Sequence, residues 1–252
     1  MAVAYASSST TTQATRSSCV MTKPTGLAVG DAMLFVWCSV DSGTVDSVPS
    51  GFTEVLTVAP SRVVSIWGKI ADSGDVSAVS FTFGLSGSLS CGAILYRFTG
   101  THQSNPFVAS NGINTNNTST PSFAAAITPT ANCLLVISGL EDNAGSSIDI
   151  TSYAITTSDP GSWIERLEAI RTDFQQVSFS ATSAVRSQST STGNFTVTNT
   201  NGDFGNQWIG TIVAIQPPPA TSIKTINGLA IGSVKTYNGL AIASVKTING
   251  LP

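Results

Sequence analysis

The chain has 252 residues, of which only 10% are charged, against roughly a quarter in an average soluble protein. Ser and Thr fill the polar positions instead, and a hydrophobic fraction of 41% is enough for a real core, which argues against global disorder. A net charge of −3 speaks against a nucleic-acid binder, which needs a basic footprint to displace phosphate counterions, and the single histidine, His102, speaks against sites built on two histidines.

Residues 1–20 lack both a charged leading region and a continuous apolar stretch, so they do not read as a signal peptide. No apolar run approaches the roughly 18 residues of a membrane span. Of the four cysteines, Cys38, Cys91 and Cys133 sit in or beside apolar runs and read as buried thiols; with Cys19 they form no C-x-x-C pair. That usage fits folding in a reducing cytosol.

Period-two alternation is the main secondary-structure signal. Val64, Ile66 and Ile70 share one face, as do Val79, Phe81 and Phe83, and the pattern returns in Val177–Ala181 and Phe195–Thr198. Such alternation places one face in a core and the other in water, as in an antiparallel sheet. Ser162–Phe174 is the one stretch that also fits a helix. A weak internal duplication aligns Gly30–Val36 with Ala131–Ile137, Pro49–Glu54 with Pro160–Glu165, and Ala93–Tyr96 with Gly210–Val213. Five strands per half are expected, with the polar stretch Thr101–Pro121 as the joining loop. The expected fold is all-β, a jelly-roll-like antiparallel β-sandwich over residues 1–216, followed by a proline linker over 217–221.

Residues 222–252 change character. Lys224, Lys235 and Lys246 lie eleven apart, as do Asn227, Asn238 and Asn249. Asn-Gly at the centre of each copy, beside β-branched residues, opposes a helix and favours a tight hairpin turn. Each copy reads as strand, turn, strand. A lone two-stranded ribbon is marginal in water, so this segment is expected to be an association element. Ile223, Lys224, Ile226, Leu229, Val234, Lys235, Tyr237, Leu240, Val245 and Ile248 are its candidate contact residues.

Chemistry is sparsely supplied. His102 sits in a polar loop without a G-x-S-x-G elbow or a Cys/His signature in the sequence. Glu54, Glu141, Glu165 and Glu168 are the candidate carboxylates for a glycosidase, but Glu165 and Glu168, three apart, face opposite sides of a strand, and surface charge is the better reading. Asp41, Asp46, Asp72 and Asp75 read as solvated turns rather than a calcium loop. Among Trp37, Trp67, Trp163 and Trp208, Trp67 and Trp208 are candidates for stacking on a sugar, with core filling as the commoner use of such rings. No cofactor or metal is expected.

The copies of K-T-[IY]-N-G-L-A-I-[GA]-S-V, together with Gly30–Leu34, Pro49–Phe52 and Ile66–Lys69, resemble segments of bacteriophage virion structural proteins. The resemblance is strong over about thirty residues of the repeat and looser over the sandwich. It implies a non-enzymatic virion component, decorating a capsid or forming a head or appendage projection, assembled in the host cytoplasm. Other virion proteins and further copies of the chain, with a trimer as first expectation, are the implied partners; nucleic acid and membrane are not. A tail or fibre protein binding a host surface glycan, or a bacterial adhesin or filament subunit, is the alternative.

Overall fold

A computed structural model describes residues 2–39, 41–59, 62–116, 122–123, 127–142, 150–155, 163–171, 176–186, 189–192, 195–199 and 207–219, and in the C-terminal repeat 225–226, 229–230, 236–237 and 240–241. Two compact units are present, Met1–Pro218 and Pro219–Pro252.

The first half of the larger unit contains β1 (Ala4–Thr22), β2 (Ala32–Ser39), β3 (Val45–Ser47), β4 (Thr53–Val58), β5 (Val63–Ile70), the short helix α1 (Ser73–Ser77) and β6 (Ser80–Thr99). The second half contains β7 (Phe107–Asn116), β8 (Ser122–Phe123), β9 (Cys133–Asp142), β10 (Ile150–Ile155), β11 (Trp163–Arg171), β12 (Gln176–Arg186), β13 (Phe195–Asn199) and β14 (Gln207–Ile215). The expected class is the one observed: antiparallel sheets packed as a sandwich, with Ser162–Phe174 contributing a strand.

In the first half the sheet runs β1-β6-β2-β5-β4, with β3 paired to β6. Its geometry follows from two facts about one strand. Leu95 of β6 lies opposite Phe35 of β2 in the ladder, and the Phe83 ring of the same strand stacks on Phe35 at 3.6 Å. Both hold only if β6 folds over. Register shifts between Gln13 and Ser18 mark the matching bend in β1. The folded ribbon covers the outer face of β2 and β5, so β2 is buried on both sides. Leu34, Val36 and Cys38 face one core, and Met33, Phe35 and Trp37 the other.

The second half repeats this order as β7-β14-β9-β12-β11, with a three-stranded sheet β10-β13-β8 standing where β3, the start of β6 and the end of β1 stand in the first. Even the irregularities recur. A bulge between Glu54 and Leu56 on β4 returns between Glu165 and Leu167 on β11. The shift between Tyr5 and Ser7 returns between Phe107 and Ala109, and that between Val45 and Ser47 returns between Ile150 and Ser152. Gly30, with φ 89°, has its counterpart in Asn132, with φ 65°, the one non-glycine residue of positive φ among the described residues.

The two large sheets face each other over a shared core of Leu34, Val36, Ile66, Ile94 and Phe98 on one side and Leu134, Val136, Leu140, Ile209 and Val213 on the other. Their cross-sheet contacts come in mirrored pairs: β4 with β7 and β11 with β1, β5 with β14 and β12 with β6. That is the pattern of an approximate twofold axis passing between β2 and β9.

Four expectations about the strands need correction. Among the described residues the first half has six strands and the second eight, rather than five each. The alignment of Gly30–Val36 with Ala131–Ile137 is off by one residue. Ala32 corresponds to Leu134, both facing the shared core, rather than to Cys133. A one-residue slip exchanges the two faces of a strand, and here both faces are apolar, so pattern alone did not fix the register. The joining segment is Gly100–Pro106, not 101–121, because Phe107–Asn116 forms edge strand β7 on β14. An edge ladder asks mainly for backbone groups, which Ser and Asn supply as well as Val does. Val79 precedes β6 and is 82% exposed, while Phe81 and Phe83 are buried.

Candidate association site

In the C-terminal repeat, β15 (Thr225–Ile226) pairs with β16 (Leu229–Ala230), and β17 (Thr236–Tyr237) pairs with β18 (Leu240–Ala241). Ile226 lies opposite Leu229 and Tyr237 opposite Leu240. Two residues, Asn-Gly in each case, lie between the closing pairs, which is the loop length of the tightest hairpins. Among the described residues each ladder is a separate two-stranded sheet, and its strands there are edge strands. Ile226, Leu229, Tyr237 and Leu240 therefore occupy equivalent register positions in successive hairpins. Ile223, Lys224, Val234, Lys235, Val245 and Ile248, and the third copy, lie outside the described residues.

The sandwich places the other candidates. Trp67 packs, half-buried, against the outer core of the first half. The face it shares is thus a second core rather than a wet surface, which corrects the one-sided reading of its strand. Trp37 is fully buried, and the indole N–H groups of Trp37, Trp67 and Trp163 are buried with no partner among the described residues. The side chains of Trp208, Glu141, Glu165 and Glu168 lie outside the described residues; Glu54 is exposed. The bulge at Arg166 sets Glu165 and Glu168 opposite Ala181 and Phe179, two residues apart on β12, so their odd spacing does not carry the alternation expected of a regular strand.

Asp72 is exposed, as the sequence suggests, whereas Asp75 is buried, and both are built into the start of α1. Asp72 caps α1 by accepting from the Gly74 and Asp75 amides, and the buried Asp75 returns the bond to the Asp72 amide. Lys69 Nζ joins both carboxylates, at 2.9 Å from Asp72 Oδ2 and 2.8 Å from Asp75 Oδ2. Asp46 accepts from Thr44 Oγ1 at 2.6 Å, and Asp41 N–H donates to Ser39 Oγ at 3.1 Å. His102 Nδ1 accepts from the Ser104 and Asn105 amides at 3.2 and 3.1 Å, closing a turn in the segment joining the halves. Among the described residues no group of three His, Cys, Asp or Glu side chains is placed to hold a metal ion, and no helix is long and apolar enough to cross a membrane.

Cys19, Cys38 and Cys133 are buried. Burial pushes the Cys133 thiol above its ordinary value, against the opposing pull of Thr130. Cys133 is therefore held as a thiol, the poorer nucleophile. The Cys91 side chain lies outside the described residues.

Sequence reasoning missed the polar part of the shared core. Tyr96 Oη donates to Ser180 Oγ at 2.6 Å. Ser180 Oγ lies 2.7 Å from Ser138 Oγ, and Thr211 Oγ1 donates to the Ser138 carbonyl at 3.0 Å. Burial holds the Tyr96 hydroxyl far above its ordinary value, so it keeps its proton and donates. By alternation Ser180 belongs to the wet side of its strand. Its flanking residue Ala181 is equally buried on the opposite face, so β12 has no wet side there. Arg186 is also buried. Its Nη2 donates to Thr190 Oγ1 and the Ser191 carbonyl at 3.1 and 3.2 Å, while Nε and Nη1 have no partner among the described residues.

Comparisons with protein-family models, with curated proteins and with solved structures found no match to this chain.

Proposed function

We propose that the protein is a non-enzymatic structural component of a bacteriophage virion, decorating the capsid or building a head or appendage projection, and that it self-associates through its C-terminal repeat. The observation that carries this reading is the recurrence of Ile226–Leu229 and Tyr237–Leu240 as closing pairs of separate two-stranded ladders. Ladders this short are marginal by themselves and offer backbone edges to further strands. Strand addition between copies or to a neighbouring particle protein satisfies those edges. The described chemistry of the sandwich is consistent with a scaffold: burial favours the protonated Cys133 thiol, the Lys69 and Asp72 charges are paired, and the histidine is engaged with its own loop.

The setting is tested by purifying particles from a lysate that contains the gene and probing them with an antibody to the sandwich. Label on intact particles, in a regular array, is the expected result. Label confined to host envelopes or to soluble protein contradicts the virion reading.

A further inference from the structure

The mirrored contacts between the halves describe an interface in which each half presents the same surface to the other. Such a surface, if identical in both, pairs equally well with itself. The two halves have instead diverged at equivalent positions. Ladder register equates Val36, Ile66 and Ile94 of the first half with Ser138, Ser180 and Thr211 of the second, since Val36 lies opposite Ile66 and Ile94 and Ser138 opposite Ser180 and Thr211. A row of three branched apolar side chains thus corresponds to a row of three hydroxyls, all six being buried.

The remainder of the interface has separated in the same way. Arg166 stands at the bulge that Val55 occupies in the first half, and Tyr5 stands where Phe107 does. The Arg166 guanidinium lies 3.7 Å from the Tyr5 ring centroid and donates through Nε to Thr182 Oγ1 at 3.0 Å. At the mirrored place the Phe107 ring rests directly on Gly68, the equivalent of Thr182. One end of the interface is polar and stacked, the other apolar and close-packed.

We infer that this divergence is a recognition code that makes the face of the first half fit the second half and reject another first half. The Tyr96 hydroxyl finds its acceptor in Ser180, a residue of the second half; against a second copy of the first half it meets the counterpart Ile66 and is buried unpaired. A buried donor without a partner is costly, and two rows of Ile and Val meeting each other crowd a core shaped for one. The code closes the sandwich on itself and leaves association between chains to other surfaces.

The test uses the full chain. Ser138→Val, Ser180→Ile and Thr211→Ile together give the second half the buried row of the first; they are expected to lower the folding constant at least tenfold in denaturant titration, and Tyr96→Phe in that background is expected to recover a large part of the loss. A smaller loss, or one that Tyr96→Phe does not relieve, overturns the inference. In the otherwise wild-type chain, Tyr96→Phe and Ser180→Ala are expected to be non-additive in the folding constant by about fivefold, and additive effects overturn the inference independently.

Discussion

The ring of Phe107, from the second half, occupies the space into which a Cβ on Gly68, from the first half, would project. The glycine is therefore a matter of close approach across the shared core. Gly68→Ala is expected to cost about 1–3 kcal/mol, the usual range for overpacking. Denaturant titration should show the loss, and a Phe107→Leu background should recover part of it.

The stack of Phe83 on Phe35 fastens the folded-over end of β6 to β2. Phe83→Ala is expected to cost about 3–5 kcal/mol and to speed amide exchange along the second part of β1, which travels with it. Val79→Ala, at a site 82% exposed, should change stability by less than about 0.5 kcal/mol.

The Lys69 cluster predicts two pH limbs. Burial by itself lowers the Lys69 ammonium, but its bonds to Asp75 and Asp72 outweigh that and hold it above its ordinary value. The Lys69 bond, then the Asp75 amide, holds the Asp72 carboxyl below its ordinary value. The lysine's contribution is complete below its unfolded value and is lost as pH rises through the raised one. The aspartate's is complete above its unfolded value and is lost as pH falls through the lowered one. Lys69→Met should flatten both limbs of a stability profile while leaving its shape between about pH 5 and 9 unchanged. An unaltered acid limb in the variant contradicts the assignment.

Arg186 is a buried cation with two nitrogens lacking partners among the described residues. Exchanging a buried charge for an apolar side chain of similar volume is often neutral or stabilising, so Arg186→Met is expected to hold or raise the melting temperature. The same change should raise amide exchange at residues 189–192, whose loop the guanidinium ties down. A loss of more than about 1 kcal/mol would show that the charge is compensated.

How much of this was legible from the residues depends on which face of a strand is considered. Val64, Ile66 and Ile70 announce their face, and Phe52 aligns with Trp163 because Pro and Gly precede each in the sequence and equivalent bulges follow. What alternation does not reveal is a second core. Met33, Phe35 and Trp37 alternate with Leu34, Val36 and Cys38, so the strand is apolar throughout and carries no register of its own. Strand β1 was invisible because Ser and Thr dominate it, and its stability comes from a long partner, β6, that folds over with it. The hydroxyl of Ser180 reads as solvent-facing until Tyr96 is seen across the core. In the repeat, the two described ladders close on either side of Asn-Gly, a pair that fixes loop length locally.

The central claim is association through that repeat, and light scattering coupled to size exclusion tests it most directly. The full chain and a chain ending at Gln216 should be compared at equal concentration. The account predicts an oligomer for the full chain and a folded monomer for the shortened one, with unchanged circular dichroism per sandwich residue. Identical masses for the two chains would contradict it.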